Sequence, residues 1–342
     1  SCSPIGSLGP STCGPNVNHI WILGDLAANA SVIRLRVTMD SQEVLDRFSR
    51  LSTYSRGDRR APHKPLLALL ALQRFSLEQT KIPFSDLEPE LLNLLKIYAP
   101  PVRNRHQPEL PYWHLQTDGV WEVEDAELLA RQSSGFPRKA ALNNSEGGVT
   151  EDVLSALSLD NDLRKKLVGM LLEEHFPHSI HEDLLAQIGL LDEIAIRENH
   201  PNYEIKKRRD PAFRENVLRA YEHKCAVTGF RAALGGSYFG CEAAHVQWHA
   251  YDGPDSVENG ICLEPTVHKL LDAGAWTLSD DRRILVSKDF TGTATAVGRL
   301  REQHGKLLAE PLKGEPLVSI EFIKWHRDSK LGGVFRQPAM EV

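Results

Sequence analysis

No apolar run in this chain approaches the roughly 18 residues that a membrane-spanning helix needs. The longest, PLLALLALQRF from Pro65 to Phe75, reads as a buried core helix, and no membrane is expected. An excess of positive charge is also missing. Lysine and arginine number 40 against 46 aspartates and glutamates, a formal net charge of −6. Any contact with nucleic acid must therefore come from local basic patches rather than a global field. Cysteine is scarce and odd in number, five in 342 residues, with no disulfide-like spacing, which suits a reducing cytoplasm. There are no internal repeats and no long low-complexity segment. The first 38 residues lack the positive and strongly apolar regions of a signal peptide.

What is present is ordinary for a soluble protein: 41% hydrophobic and 25% charged residues in a length that allows two or three domains. Residues 1–38, rich in Ser, Gly, Pro and Asn, are read as a flexible leader or tag-like extension, with the fold beginning near Met39. Asp40 followed by Glu43 predicts a capped helix start, and Val44, Leu45, Phe48 and Leu51 continue at helical spacing. After the basic turn YSRGDRRAPHKP come the apolar helix quoted above and another, DLEPELLNLLKIY, stopped by Pro100 and Pro101,. YWHLQTDGVWEV alternates around Asp118-Gly119 and predicts a hairpin. Two more helices follow in 162–191. Residues 39–195 thus form a mainly helical domain with a small sheet, 196–210 a polar linker, and 211–342 a second domain, for an α+β chain overall. Local basic patches lie at Arg56, Arg59, Arg60, His63 and Lys64; at Arg103, Arg105 and His106; and in KKRRD from Lys206.

The densest chemistry sits in CEAAHVQWHAYDGPDSVENGICLEPTVHKLLD, Cys241 to Asp272. EAAHV suits a strand, DGPDSVENG a turn-rich loop, and TVHKLLD a helix with Thr266 as N-cap. Strand, loop and helix are expected to bring His245, Asn259 and His268 together. His268 and Asp272, at i and i+4, share a helix face, the spacing of two ligands to one metal ion. Such a set supports phosphodiester hydrolysis. A neutral imidazole takes a proton from water, a divalent metal stabilises charge at the phosphate, and the asparagine orients the base. His249 and Asp252 are read as parts of a structural turn, and Trp248, Trp276 and Trp325 as core.

This stretch resembles the HNH, or ββα-metal, nuclease motif. YEHKCAVTGF, DGPDSVENGICL, VHKLLDAGAWTL and WHRD extend the likeness to its restriction branch across about 205–335. The resemblance implies His245 as general base, Asn259 as the loop asparagine and His268 as a metal ligand, with Asp272 as a further ligand. It implies a divalent cation, Mg²⁺ or Mn²⁺, with Ni²⁺ and Co²⁺ as further candidates. Two departures stand out. Where many relatives place an Asp or His ligand before the base, this chain has Ala244. Where many carry C-x-x-C knuckles, Cys225 is followed at the third position by Thr228 and Cys262 by Pro265. No structural zinc is expected, and Cys225, Cys241 and Cys262 read as packed small residues.

The N-terminal half, through YSRGDRRAPHKPLLALLAL and HQPELPYWHLQTDGVWEV, resembles the sulfur-binding domain of modification-dependent (type IV, McrA-like) HNH restriction endonucleases, which bind phosphorothioated DNA. Carried over, the basic part falls on Arg56, His63 and Lys64. The apolar pocket falls on Leu110, Pro111 and Tyr112 with His114, and SGFPRKA adds Arg138. The physics agrees. Sulfur in place of a non-bridging oxygen keeps the charge but is larger, more polarizable and less hydrated, so its reader needs cations and a small dry hollow. Double-stranded, phosphorothioated DNA is the implied partner, and duplex cleavage by two cuts implies a homodimer. The competing readings are an HNH nuclease directed to methylated bases, which would need a pocket for a flipped base, and a DNA-binding protein whose nuclease core has decayed.

Overall fold

Asp40 opens the first described helix: in extended conformation, it accepts the Gln42 backbone N–H at 3.1 Å and starts α1 (Ser41–Ser49),. The computed structural model describes residues 40–52, 62–102, 105–191, 210–331 and 333–341. The leader, Arg56, Arg59, Arg60, Arg103 and the basic run from Lys206 to Arg209 lie outside the described residues. The expected capping box is only half made. Glu43 pairs forward with Arg47 at 3.0 Å rather than back to the cap.

The apolar run forms α2 (His63–Ser76), in which every residue from Lys64 to Leu72 is buried. A helix apolar all round must be central, and α2 packs against later helices on several sides. A two-residue strand β1 (Ile82–Pro83) leads into α3 (Phe84–Tyr98), which stops at Tyr98 with Ala99 extended. Ala99 precedes a proline, and that position disfavours the helical region.

The predicted hairpin at 112–123 is not there. Glu109–His114 is helix α4, Leu115–Asp118 a 3₁₀ turn, and Gly119 closes it at φ 71°. Only Trp121–Val123 is extended, as β2. The reason is a tertiary anchor. Asp118 accepts Lys64 Nζ at 2.5 Å and the Ser52 N–H at 2.8 Å, so it is tied to α2 and cannot sit at a hairpin tip. After α5 (Lys139–Leu142), strand β3 (Glu146–Val149) runs between β1 and β2, antiparallel to both. A Cβ on Gly148 would lie 1.9 Å from the Thr80 carbonyl oxygen, so the central strand accepts only glycine there. Helices α6 (Glu151–Leu159), α7 (Leu163–His175) and α8 (His181–Ile188) complete one core that runs from Val44 to Leu190.

A second core begins at α9 (Pro211–Ala220), with Asp210 as its N-cap and Pro211 at its first position,. A hairpin β4 (Ala232–Leu234) and β5 (Ser237–Phe239) precedes the antiparallel pair β6 (Glu242–His245) and β7 (Gly260–Leu263). Helix α10 (Pro265–Asp272) follows at once, so β6, β7 and α10 make a ββα unit. Thr266 is not its cap. Glu264 holds that position without a side-chain bond, because Pro265 takes the first helical place. The hairpin β8 (Trp276–Leu278) and β9 (Ile284–Val286), then α11 (Ala294–Arg301) and α12 (Ile320–Arg327), close the domain. His326 of the WHRD stretch is a core residue. It meets Thr277 Oγ1 at 2.8 Å and the Leu271 carbonyl at 3.1 Å, and burial pushes its pKa down to about 4.

The two cores touch. The 3₁₀ turn His178–Ile180 lies against α10, α7 lies against the turn His249–Tyr251, and Lys269 pairs with Asp183 at 3.0 Å. Arg336 donates to the carbonyls of Ala273, at 3.1 Å, and Ile97.

Candidate nuclease site and candidate sulfur-reading face

Side chains alternate along a strand, and β6 uses both of its faces. His245 points towards α9 and stacks on Phe213, with ring centroids 4.0 Å apart and planes inclined by 18°. Its Nε2 lies 2.7 Å from Asp255 Oδ1. The other Asp255 oxygen accepts the Asp210 backbone N–H at 2.6 Å and sits 3.7 Å from His249 Nε2. Burial pushes the Asp255 pKa upward, but the Asp210 N–H and the two histidines outweigh it and hold the carboxyl below its usual range.

Glu242, three residues before His245, points the other way and meets α10. His268 lies between two carboxylates: Nδ1 is 2.7 Å from Glu242 Oε2 and Nε2 is 3.2 Å from Asp272 Oδ2. Burial works to lower the His268 pKa, yet the Asp272 and Glu242 carboxylates raise it to about 9. Asp272 is buried and also accepts the Ser179 hydroxyl. Its own pKa is lowered, with the nearby His268 overcoming the cost of burial.

Asn259 belongs to neither group. Fully buried, it accepts the Gln247 N–H at 2.8 Å and donates to the carbonyls of Gln247 at 2.9 Å and Pro254 at 3.0 Å. It is a clamp on the loop between β6 and β7. Gly253 makes the clamp possible, since a Cβ there would lie 1.9 Å from the Gln247 oxygen and 2.9 Å from Asn259 Nδ2.

The three motif residues take different partners: His245 meets Asp255, His268 meets Glu242 and Asp272, and Asn259 holds the loop backbone. The i, i+4 pair His268–Asp272 does meet, and each ring nitrogen of His268 faces a carboxylate. Among the described residues no group of three or more His, Cys, Asp and Glu is placed to hold a metal ion. HNH nucleases as a class use a divalent metal. The side chains of the described residues form no ligand set for one. Cys225, Cys241 and Cys262 are buried free thiols, and burial raises the pKa of Cys241 and Cys262.

Three residues escaped the sequence reading. Asp255, four before Asn259, stood in a turn read only for its shape. Glu242 is two residues before Ala244, so strand alternation returns it to the face where the expected ligand is missing. Ser179 carries no local signal, being 93 residues from Asp272.

In the N-terminal domain α4 sorts the expected pocket residues. Tyr112 is fully buried against Phe84 and Trp121, with ring centroids at 4.7 and 5.6 Å. Burial pushes its hydroxyl up to about 12. Pro111 is buried as well. Both belong to the core rather than to an open hollow, because a helix turns them inward. Leu110, 38% exposed, and His114 are i and i+4 on the outer face,. His114 lies 5.8 Å from the Phe136 ring, Phe136 packs edge-on to Trp113 at 6.3 Å, and Arg131 covers Trp113 at 5.2 Å. Arg138 is exposed two residues beyond Phe136. Lys64 is not free to hold a phosphate, since its ammonium binds Asp118 and Ser52. His63 is half-buried beside His106, and burial pushes its pKa down to about 4. It supplies no charge at neutral pH.

Residues 41–193 match the family model of the ScoMcrA-like DNA sulfur-binding domain, and residues 225–279 match that of an HNH endonuclease. The chain joins a DNA sulfur-binding domain to an HNH endonuclease domain. Among solved structures, it is similar to the sulfur binding domain of ScoMcrA complexed with phosphorothioated DNA, at 24% identity over 44% of this chain and 96% of that one, TM-score 0.39. A modification-dependent TagI restriction endonuclease matches at 24% identity over 37% of this chain and 39% of that one, TM-score 0.27. The type IV phosphorothioation-dependent restriction endonuclease ScoMcrA matches at 23% identity over 51% of this chain, TM-score 0.38, and the chain spans only 38% of its length. No curated protein matches. Among the described residues no helix is long and apolar enough to cross a membrane.

Proposed function

We propose that the sulfur-binding half of this chain finds phosphorothioated double-stranded DNA and that its HNH half hydrolyses the backbone nearby. The observation that carries the reading is the presence of both family matches, 41–193 and 225–279, in one chain.

His245 acts as the general base. Water gives its proton to the imidazole while its oxygen bonds to phosphorus. The opposite P–O ester bond breaks, and the electron pair leaves with the departing oxygen, which takes a proton from solvent. Asn259 contributes by holding the loop, not by touching the phosphate. On the reading side, the outer face of α4 with Phe136 offers apolar surface for a weakly hydrated sulfur, and Arg138 offers charge for a neighbouring phosphate. Apolar fit sets selectivity, while charge sets mainly salt-dependent affinity. Duplex cleavage takes two cuts, so the acting form is a homodimer. Mg²⁺ or Mn²⁺ is the proposed cation.

The test has two arms. Gel shifts compare one duplex with and without phosphorothioate at matched salt, with tighter binding expected for the modified duplex. Equal binding removes the sulfur assignment. Nicking of modified plasmid with Mg²⁺ or Mn²⁺ compares wild type with His245→Ala, and equal cutting removes the assignment of the base.

A further inference from the structure

A two-stranded hairpin with no core behind it is marginal in water, and large apolar side chains grouped in solvent mark a surface that meets a partner. The hairpin β4–β5 is such an element. We propose that it is a second DNA contact, carried by the nuclease domain and indifferent to sulfur: Arg231 meets a backbone phosphate, while Leu234 and Phe239 lie against sugars and base edges in the groove. This rests on the reading of double-stranded DNA as the substrate.

Four observations carry it. The apolar side chains are in solvent: Leu234, Tyr238 and Phe239 are 78%, 47% and 55% exposed. The tip also stands clear of the fold. Gly235 and Gly236 have φ 59° and 84°, the two left-handed positions of a type I′ turn, and a Cβ added to either would meet nothing within 4 Å. Next, the charge suits a polyanion. Residues 223–240 hold His223, Lys224 and Arg231 and no aspartate or glutamate, in a chain of net charge −6. The Arg231 guanidinium lies 4.4 Å over the Tyr238 ring and donates to its hydroxyl, and the His223 ring stacks on the same tyrosine at 4.8 Å. That partner is a neutral phenol, and among the described residues Arg231 meets no carboxylate. Tyr238 pairs with Ala233 across the hairpin, whereas Leu234 pairs with Ser237 and Phe239 with Ala232, so alternation puts Leu234 and Phe239 together on the face away from Tyr238. Finally, the reach is right. Ser237, opposite Leu234, stands eight residues before His245, and eight residues of extended chain span at most roughly 28 Å. The tip therefore lies within about one helical turn of duplex, about 34 Å, from the proposed base.

The test compares the full wild-type chain with Arg231→Ala, Leu234→Ser and Phe239→Ser. Gel shifts use one duplex with and without phosphorothioate, in the absence of divalent metal. Arg231→Ala should reduce the slope of log affinity against log salt by about one. Leu234→Ser and Phe239→Ser should each weaken binding on the order of tenfold at an unchanged slope. In all three the ratio of modified to plain affinity should keep its wild-type value, because the hairpin does not meet the sulfur. Wild-type affinity and slope in every variant would overturn the proposal and leave the nuclease reading standing. A changed ratio would overturn it too, by making the hairpin part of the sulfur reader. If sedimentation shows that the variants lose affinity only as they lose a dimer, the surface belongs to a second copy and the proposal fails. If the wild type does not prefer the modified duplex, the sulfur reading fails, and the plain duplex alone decides for or against the hairpin. Ultraviolet cross-linking of the wild-type chain to plain duplex gives an answer even if the variants do not fold. Nucleotide adducts are expected within residues 230–239, and adducts confined to residues 41–193 would sink the proposal.

Discussion

His268 Nε2 lies 3.2 Å from Asp272 Oδ2 on one face of α10, with the acid buried and the imidazole raised to about 9. A group whose folded pKa exceeds its unfolded value stabilises the fold fully below the unfolded value, and that contribution disappears as pH climbs through the folded one. The unfolded value is 6.5. Stability should therefore decline between pH 6.5 and 9, by about 3 kcal/mol at most. Asp272→Asn should reduce this slope, since Glu242 still faces the other ring nitrogen, and, at pH 6, cost on the order of 3–5 kcal/mol by leaving His268 with one partner fewer. Urea unfolding across that pH range measures both effects, and an unchanged slope in the variant would refute the pairing.

Lys64 and Arg138 should separate cleanly. Lys64 is committed to Asp118 and Ser52, so Lys64→Ala should lower the melting temperature and leave the salt dependence of DNA binding nearly intact. Arg138 is exposed, so Arg138→Ala should leave stability unchanged and reduce the slope of log affinity against log salt by about one. Gel-shift titrations at several salt concentrations, run beside thermal melts, distinguish the two.

Sulfur selectivity should depend on the outer face of α4. Tyr112→Phe removes only a hydroxyl 3.3 Å from Ser145 in the core and should leave the preference for modified over plain duplex as it was. Leu110→Asp places a charge on the exposed apolar face and should abolish the preference. Loss of selectivity in Tyr112→Phe alone would return the pocket to the position expected from sequence.

The loop clamp gives the fourth test. Asn259→Ala leaves the Gln247 N–H and the Gln247 and Pro254 carbonyls without this partner. About 1–3 kcal/mol is expected for each buried group left unsatisfied, together with a large drop in cleavage rate and little change in DNA affinity. Gly253→Ala, forced against the Gln247 oxygen, should reproduce that pattern. A variant with normal cleavage would contradict the clamp.

Helix periodicity, proline stops and the strand–loop–helix order of 241–272 were legible along the chain, because each depends on residues within a few positions of one another. Asp40 caps its helix, and the helix before Pro100 and Pro101 ends, where local rules put them. The predicted hairpin at 112–123 failed because its Asp118 answers to Lys64 and Ser52, far back in sequence. Tyr112 and Pro111 looked like pocket residues until the backbone coiled and turned them inward.

The motif itself named His245, Asn259, His268 and Asp272, but not what each would touch. Sequence alone determined which chemical groups the protein owns and the local backbone that carries them. Only the tertiary structure decided that Asp255 meets the base and that Ser179 meets Asp272. A buried polar group takes its partner from whatever the packing brings within 3 Å, and nothing in the spacing of a chain encodes that neighbour.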